Sequence, residues 1–171
     1  MHLKSVCIAL SMLVALAACA THTRNQARDT TFVVVRHAEK ASDDPKDPSL
    51  NAPGTARARA LASHFATTPL SVAYATAFKR TQQNAAPAAL ASGIDVTTYD
   101  AARASGEFVA ELRRKHAHGT ILVVGHSNTV PEIVAALCSC AVAPLGDADY
   151  GDLYEVRIDH NGRATLTERT Y

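Results

Sequence analysis

Thr31-Phe32-Val33-Val34-Val35-Arg36-His37-Ala38-Glu39-Lys40 is a short apolar run that ends abruptly in an arginine and a histidine. Four consecutive apolar residues, 32–35, with no polar alternation predict a strand buried on both faces. Strands of that kind belong to a mainly parallel sheet flanked by helices, where chemistry sits at the carboxyl ends. His37 therefore reads as a nucleophile.

Outward from this stretch the chain alternates strand and helix signals, which predicts an α/β three-layer sandwich with a mainly parallel central sheet and a C-terminal antiparallel hairpin. Asn51 is a good N-cap for a helix with Ala58, Leu61, Ala62 and Phe65 on one face. Residues 71–76 form the second strand, and Lys79-Arg80-Thr81 begins a helix in which Pro87 predicts a bend or a late start. Residues 96–99 make a more exposed third strand with Asp100 just past its end. Ser105 caps a helix burying Phe108, Val109 and Leu112 and stopping at Gly119.

Residues 121–124, Ile-Leu-Val-Val, are the clearest core strand, and it breaks at Gly125-His126. The following helix carries Val130, Ile133, Val134 and Leu137 as an apolar stripe, with Pro131 tolerated in its first turn. In the final hairpin Tyr154, Val156 and Ile158 alternate with polar residues, and Asn161-Gly162 suggests a type I′ turn.

The chain has 171 residues, 47% of them hydrophobic, which suits one domain with a sizeable core. Its formal charge of +1 gives no strong field toward nucleic acid or acidic membranes. Arg113-Arg114-Lys115-His116 is the one basic cluster, and its place at a helix end explains it through the helix dipole. Nucleic-acid binding is not expected.

The start of the chain stands apart. Lys4 precedes an apolar segment, residues 6–17, of the size found in signal peptides and too short to span a bilayer. Leu16-Ala17-Ala18-Cys19 resembles the lipobox of bacterial lipoproteins, so residues 1–18 read as a lipoprotein signal peptide and Cys19 as the lipidated first residue of the mature chain. Removing the leader takes away one basic side chain, Lys4, leaving acidic and basic side chains equal in number. Ala20, not aspartate, follows the cysteine, which by lipoprotein sorting favours the outer membrane, on the periplasmic side of the envelope. Residues 19–30 read as a tether and residues 31–171 as the domain, held to the membrane by its lipid.

With Cys7 in the leader and Cys19 carrying lipid, Cys138 and Cys140 are left. Two positions apart on a helix their side chains diverge, so buried free thiols are expected, with a redox pair as the alternative. His116 and His118, beside Gly119, read as solvated side chains at a helix end, with a metal site as the lesser reading. No cofactor or metal is implied.

The chemistry assembles from strand ends. His37 and His126 each close a core strand, and Arg36 and Arg80 join them at the same edge of a parallel sheet. Two imidazoles and two guanidiniums repel one another unless something negative lies among them, and guanidiniums grip a phosphoryl group bidentately. A neutral imidazole can then take the phosphoryl group to give a phosphohistidine that water hydrolyses, while His126 and the arginines stabilise the charge in transit.

These residues resemble the histidine phosphatase superfamily, also called phosphoglycerate mutase-like. The resemblance rests on Arg36-His37-Ala38-Glu39-Lys40, on Asp47-Pro48-Ser49-Leu50-Asn51 with Gly54 and Arg57-Ala58, on the stretch 76–85 around Arg80, and on Val124-Gly125-His126-Ser127-Asn128-Thr129-Val130-Pro131. It implies His37 as nucleophile and Arg36, Arg80 and His126 as the rest of a phosphate pocket in a hydrolase. Many members protonate the leaving group with a glutamate after the third strand or an aspartate directly after the second histidine. Here Ser127 follows His126, and the donor falls among Asp100, first, then Glu107 and Glu39. Only short connections separate residues 40–51 and 100–105, so the crevice should be open. That resembles the small subgroup acting on phosphohistidine in proteins, and also suits phosphorylated small molecules.

Two rival readings use the same residues. Residues 124–129 look superficially like the nucleophile elbow of a serine hydrolase, with Ser127 as nucleophile and His160 as the only later histidine. Alternatively, a non-catalytic lipoprotein could keep the pocket to bind an anion or a partner.

Overall fold

The computed structural model describes residues 29–171. The expected leader of residues 1–18, the lipid-bearing Cys19 and the tether up to residue 28 lie outside the described residues. Within them run β1 (Thr30–Arg36), α1 (Ala52–His64), β2 (Val72–Thr76), α2 (Lys79–Ala91), β3 (Val96–Tyr99), α3 (Ser105–Lys115), β4 (Gly119–Gly125), α4 (Thr129–Cys138), β5 (Asp152–Ile158) and β6 (Ala164–Thr170). The first strand thus opens at Thr30, inside the stretch read as tether.

The strands form one sheet in the order β3-β2-β4-β1-β5-β6. β1, β2, β3 and β4 are parallel, and β5 and β6 join antiparallel beyond β1. This is the expected α/β three-layer sandwich. Its cause is visible in β1, where Phe32 and Val34 enter a core shared with α3 and α4 while Val33 and Val35 enter another shared with α1 and α2. Every apolar residue of the opening stretch is buried because both faces of β1 are covered.

Asn51 caps α1 as expected, its side chain accepting from the Gly54 N–H at 2.8 Å. Gly54 lies so close to the chain after β1 that an added Cβ would stand 2.2 Å from the Glu39 carbonyl oxygen. The helix is thereby pressed onto the nucleophile loop.

Several local expectations are corrected. Ser105 does not cap α3: Ala104 occupies that position with no side-chain bond, and the Ser105 hydroxyl donates to Glu132 at 3.0 Å. The same helix ends at Lys115, and Gly119, with φ +94°, opens β4. α2 begins at Lys79 and continues through Pro87, so there is no late start. The hairpin turn is not type I′, because Gly162 (φ +80°) has a positive φ and Asn161 does not. The Asp159 carboxylate instead accepts from the N–H groups of Asn161 and Arg163, each at 2.9 Å, which favours a three-residue loop.

The largest correction concerns the thiols. Cys138 and Cys140 are joined by a disulfide with Cα atoms 5.2 Å apart. The helical spacing that parts them does not apply, because α4 stops at Cys138 and Ser139 turns into the left-handed region (φ 54°), swinging Cys140 back.

Candidate active site

The carboxyl ends of β2, β4 and β1 lie side by side, which places Thr76, Gly125 and Arg36 in neighbouring positions along one edge. His37 continues β1, its N–H donating to the Gly125 carbonyl at 3.0 Å. His126 follows Gly125, and the two imidazole centroids are 5.4 Å apart, edge to face. Arg80 comes from the first turn of α2. Four of the five expected catalytic residues, Arg36, His37, Arg80 and His126, are therefore brought together.

His37 is 5% exposed and its protonation is fixed by its partners. Nδ1 lies 2.8 Å from the Ala38 carbonyl, and Arg80 Nε donates to Nε2 at 3.1 Å. A carbonyl can only accept, so the ring proton is on Nδ1 and Nε2 carries the lone pair. Burial lowers the pKa of His37 to about 4, against a rise from the Ala38 bond, and the charges of His126, Arg80 and Arg36 lower it further. The imidazole is neutral at pH 7 with its free nitrogen facing a cation.

Arg36 is positioned by main-chain oxygens. Its Nη1 donates to the carbonyls of Gly146 (2.7 Å), Asp149 (3.1 Å) and Asp147 (3.2 Å), and its guanidinium carbon lies 4.4 Å from the Tyr150 ring centroid. Carbonyl dipoles orient the group without cancelling its charge. Arg36 Nε and Arg80 Nη1 are buried and have no hydrogen-bond acceptor among the described residues. Arg80 has only a loose ion pair, 3.7 Å, with Asp47. Two unsatisfied cationic donors beside a neutral imidazole suit an anion with several oxygens.

His126 is likewise lowered to about 4, first by burial and then by Arg80 and Arg36. Its Nε2 lies 3.0 Å from Thr76 Oγ1, which in turn lies 2.8 Å from Thr81 Oγ1. The Thr81 hydroxyl donates to main-chain carbonyls, of Phe78 at 2.8 Å and Thr76 at 3.0 Å, so it accepts from the Thr76 hydroxyl; Thr76 in turn accepts from His126 Nε2–H, which leaves the His126 lone pair on Nδ1.

The three candidate proton donors differ. Glu39 is engaged by Arg57 in a fork, with contacts of 2.6 to 3.2 Å, and Arg57 holds its carboxyl below the usual range, which favours the ionised form. Glu107 is exposed and stands 4.0 Å from Arg103. Asp100 is exposed at the end of β3, its carboxylate accepting from the Ala102 N–H at 2.9 Å. Among the described residues no hydrogen bond or ion pair joins any of the three to the four pocket residues.

Ser127 is not placed for a serine-hydrolase triad. His160 follows β5, whose end pairs with the start of β1 at Thr30, so it lies at the opposite edge of the sheet. His116 Nε2 meets the Tyr74 hydroxyl at 3.0 Å.

Sequence reasoning missed several supporting residues. Thr76 and Thr81 flank Arg80 and give no periodic signal. Asn84, fully buried, accepts from the Ala38 N–H at 3.0 Å and so braces the loop that orients His37. Phe78 meets His126 edge to face at 5.2 Å and lies 4.5 Å from the Arg80 guanidinium carbon. Tyr150 and the carbonyls around it come from an irregular loop. Only its two flanking glycines, Gly146 and Gly151, marked it in the sequence.

Comparison with known proteins agrees with the fold. Residues 32–103 match the model of the histidine phosphatase superfamily, branch 1. No curated protein matches the sequence. The fold is shared with a protein histidine phosphatase SixA complexed with tungstate: TM-score 0.65 and 18% identity, covering 82% of this chain and 96% of that one. It is shared with a mycobacterial glucosyl-3-phosphoglycerate phosphatase at TM-score 0.64 and 14% identity, covering 81% and 97%. A phosphoserine phosphatase from Entamoeba histolytica in complex with 3-phosphoglyceric acid gives TM-score 0.61 and 14% identity, covering 83% and 97%.

Proposed function

We propose that this chain is a histidine phosphatase that hydrolyses phosphomonoesters or phosphoramidates through a phosphohistidine on His37. The observation that carries the proposal is the state of His37: proton on Nδ1 and held by Ala38, lone pair on Nε2, and two buried guanidinium donors without acceptors beside it.

The Nε2 lone pair attacks phosphorus while the bond to the leaving oxygen or nitrogen breaks, and that atom takes the electron pair and a proton from a carboxylic acid, with Asp100 as first candidate. Arg80 turns its Nε–H from Nε2 to an equatorial oxygen as the N–P bond forms, Arg36 Nε meets a second, and His126, whose Nδ1 takes up a proton as the bound anion offsets the guanidiniums, donates to the third. Water then attacks phosphorus, gives its proton to the carboxylate, and the N–P electron pair returns to Nε2. The guanidiniums supply the positive charge, so the reaction needs no metal ion. The substrate is a phosphorylated small molecule or a phosphohistidine protein.

Release of phosphate from an aryl phosphate by the domain beginning after Cys19, set against His37→Ala, tests this reading. Rapid quench with labelled substrate should trap an acid-labile, base-stable adduct on the parent protein alone. Equal activity in both proteins would remove the nucleophile assignment. An anion- or partner-binding protein without turnover is the second reading, favoured by the lack of any bond between the three carboxylates and the pocket. It predicts tight phosphate binding and no release from any ester or phosphoramidate.

The lipobox further supports a lipid anchor on Cys19 on the periplasmic side of the outer membrane. Incorporation of labelled fatty acid, lost in Cys19→Ala, checks it.

A further inference from the structure

Phe78 is one of two large apolar side chains left exposed among the described residues, at 37%. It is the only one of the two beside the pocket: its ring meets His126 at 5.2 Å and lies under Arg80 at 4.5 Å. Its backbone is firmly set, since its carbonyl accepts from the N–H groups of Thr81 and Gln82, each at 3.1 Å, and from the Thr81 hydroxyl at 2.8 Å.

The sheet order fixes where this ring stands. Phe78 follows β2, His126 follows β4, Arg36 and His37 close β1, and Tyr150 precedes β5, so these five residues are met in that order across four neighbouring strands. Strands lie about 4.8 Å apart, so the anchoring points of Phe78 and Tyr150 are separated by roughly 14 Å with the phosphate-binding groups between them. Tyr150 is taken up by Arg36. Phe78 is engaged by Arg80 and by the edge-to-face contact with His126, and the part of it that stays exposed lies on the pocket side of the chain, where a group bonded to a phosphoryl on His37 would meet it.

We infer that Phe78 is a shelf for the leaving group, and that the site prefers a phosphoryl group attached directly to a flat aromatic ring, as in an aryl phosphate or a phosphorylated imidazole. The inference rests on the phosphate-pocket reading. Stacking of ring on ring favours a planar group over a saturated one of equal size, and a preference of about three- to tenfold corresponds to such pairs.

Phosphonates keep the carbon–phosphorus bond and bind without turnover, so they test the shelf apart from catalysis. Titration calorimetry should show phenylphosphonate binding the protein about three- to tenfold more tightly than cyclohexylphosphonate. Phe78→Leu keeps an apolar side chain at an exposed position and should bring that ratio close to one, as should Phe78→Ala. A ratio near one in the parent protein, or unchanged in both variants, overturns the shelf while leaving the pocket intact. Failure of both phosphonates and of inorganic phosphate to bind overturns the pocket and the shelf together. Where turnover is present, kcat/KM for phenyl phosphate and for phosphoimidazole, each relative to ethyl phosphate, should both drop in Phe78→Leu, and the larger drop names the ring.

Discussion

Arg80 Nε donates to His37 Nε2 at 3.1 Å, so a cation rests on the lone pair that the proposed mechanism sends to phosphorus. Burial first, and the neighbouring cations after it, keep the imidazole unprotonated, and the contact aligns it; in the proposed mechanism an anion draws the guanidinium away. The same motion that frees Nε2 places a charge on the phosphoryl oxygen. Binding and activation are thereby coupled in one side chain.

Arg80→Ala should cost about 100- to 1,000-fold in kcat/KM, the usual loss for a donor aimed at developing charge. It also removes one of the charges that lower the His37 pKa, so the acid limb of the pH profile should move up from about 4. Arg80→Lys keeps the charge and loses the planar fork, and should lower the rate with little movement of that limb. Profiles of kcat/KM from pH 3.5 to 8 on these variants distinguish the two effects.

The buried histidines also set a pH dependence of stability. His37 and His126 are held near 4 in the fold against an ordinary value of 6.5, so the unfolded chain binds protons that the folded one refuses. Their contribution is complete above about pH 6.5, declines as pH falls toward 4, and levels off below. For the well-buried His37 the loss amounts to about 3 kcal/mol. Urea unfolding of the parent and of His37→Asn at pH 7 and pH 4.5 should show a smaller drop in the variant.

Thr76→Val removes the hydroxyl that meets His126 Nε2 while keeping the shape of a buried strand residue. Turnover should fall about 5- to 30-fold, in line with one lost buried hydrogen bond of roughly 1 to 2 kcal/mol. Thr81→Val should act in the same direction and more weakly. Because both act on one chain of hydroxyls, the double variant should lose less than the product of the single losses, and steady-state kinetics on the four proteins measures this.

Protonation of the leaving group provides a separate test. Asp100→Asn should slow hydrolysis of an alkyl phosphate, which needs the proton, by about 10- to 100-fold, and slow an aryl phosphate with an acidic phenol far less. Glu107→Gln should show no such split. A split in Glu107→Gln alone would transfer the role to that residue.

The sequence shows clearly what repeats or follows chain order. β1 and β4 were legible because an unbroken apolar run has one outcome, burial between two helical layers, and His37, Arg36 and His126 followed from being at the ends of such runs. What escaped depends on contacts between distant segments. Tyr150 reaches Arg36 from over a hundred residues away, and Asn84 braces Ala38 from α2, the second helix after it. The disulfide escaped for a local reason: one left-handed residue, Ser139, voids helical spacing at the helix end. The hairpin turn was misread because Asp159, the residue before the loop, captures the turn amides.

The cage around Arg36 is made of carbonyl oxygens from Gly146, Asp147 and Asp149. Every amino acid carries that oxygen, so the support depends on the path of the loop and not on which side chains decorate it. Apart from Tyr150, whose ring meets Arg36, and Asp149, whose carboxylate accepts from the Gly146 N–H, exposed positions between α4 and β5 can change, and with them the rim of the crevice, while the loop keeps its path. On the proposed function, substrate preference can change there without disturbing the arginine assigned to the phosphate.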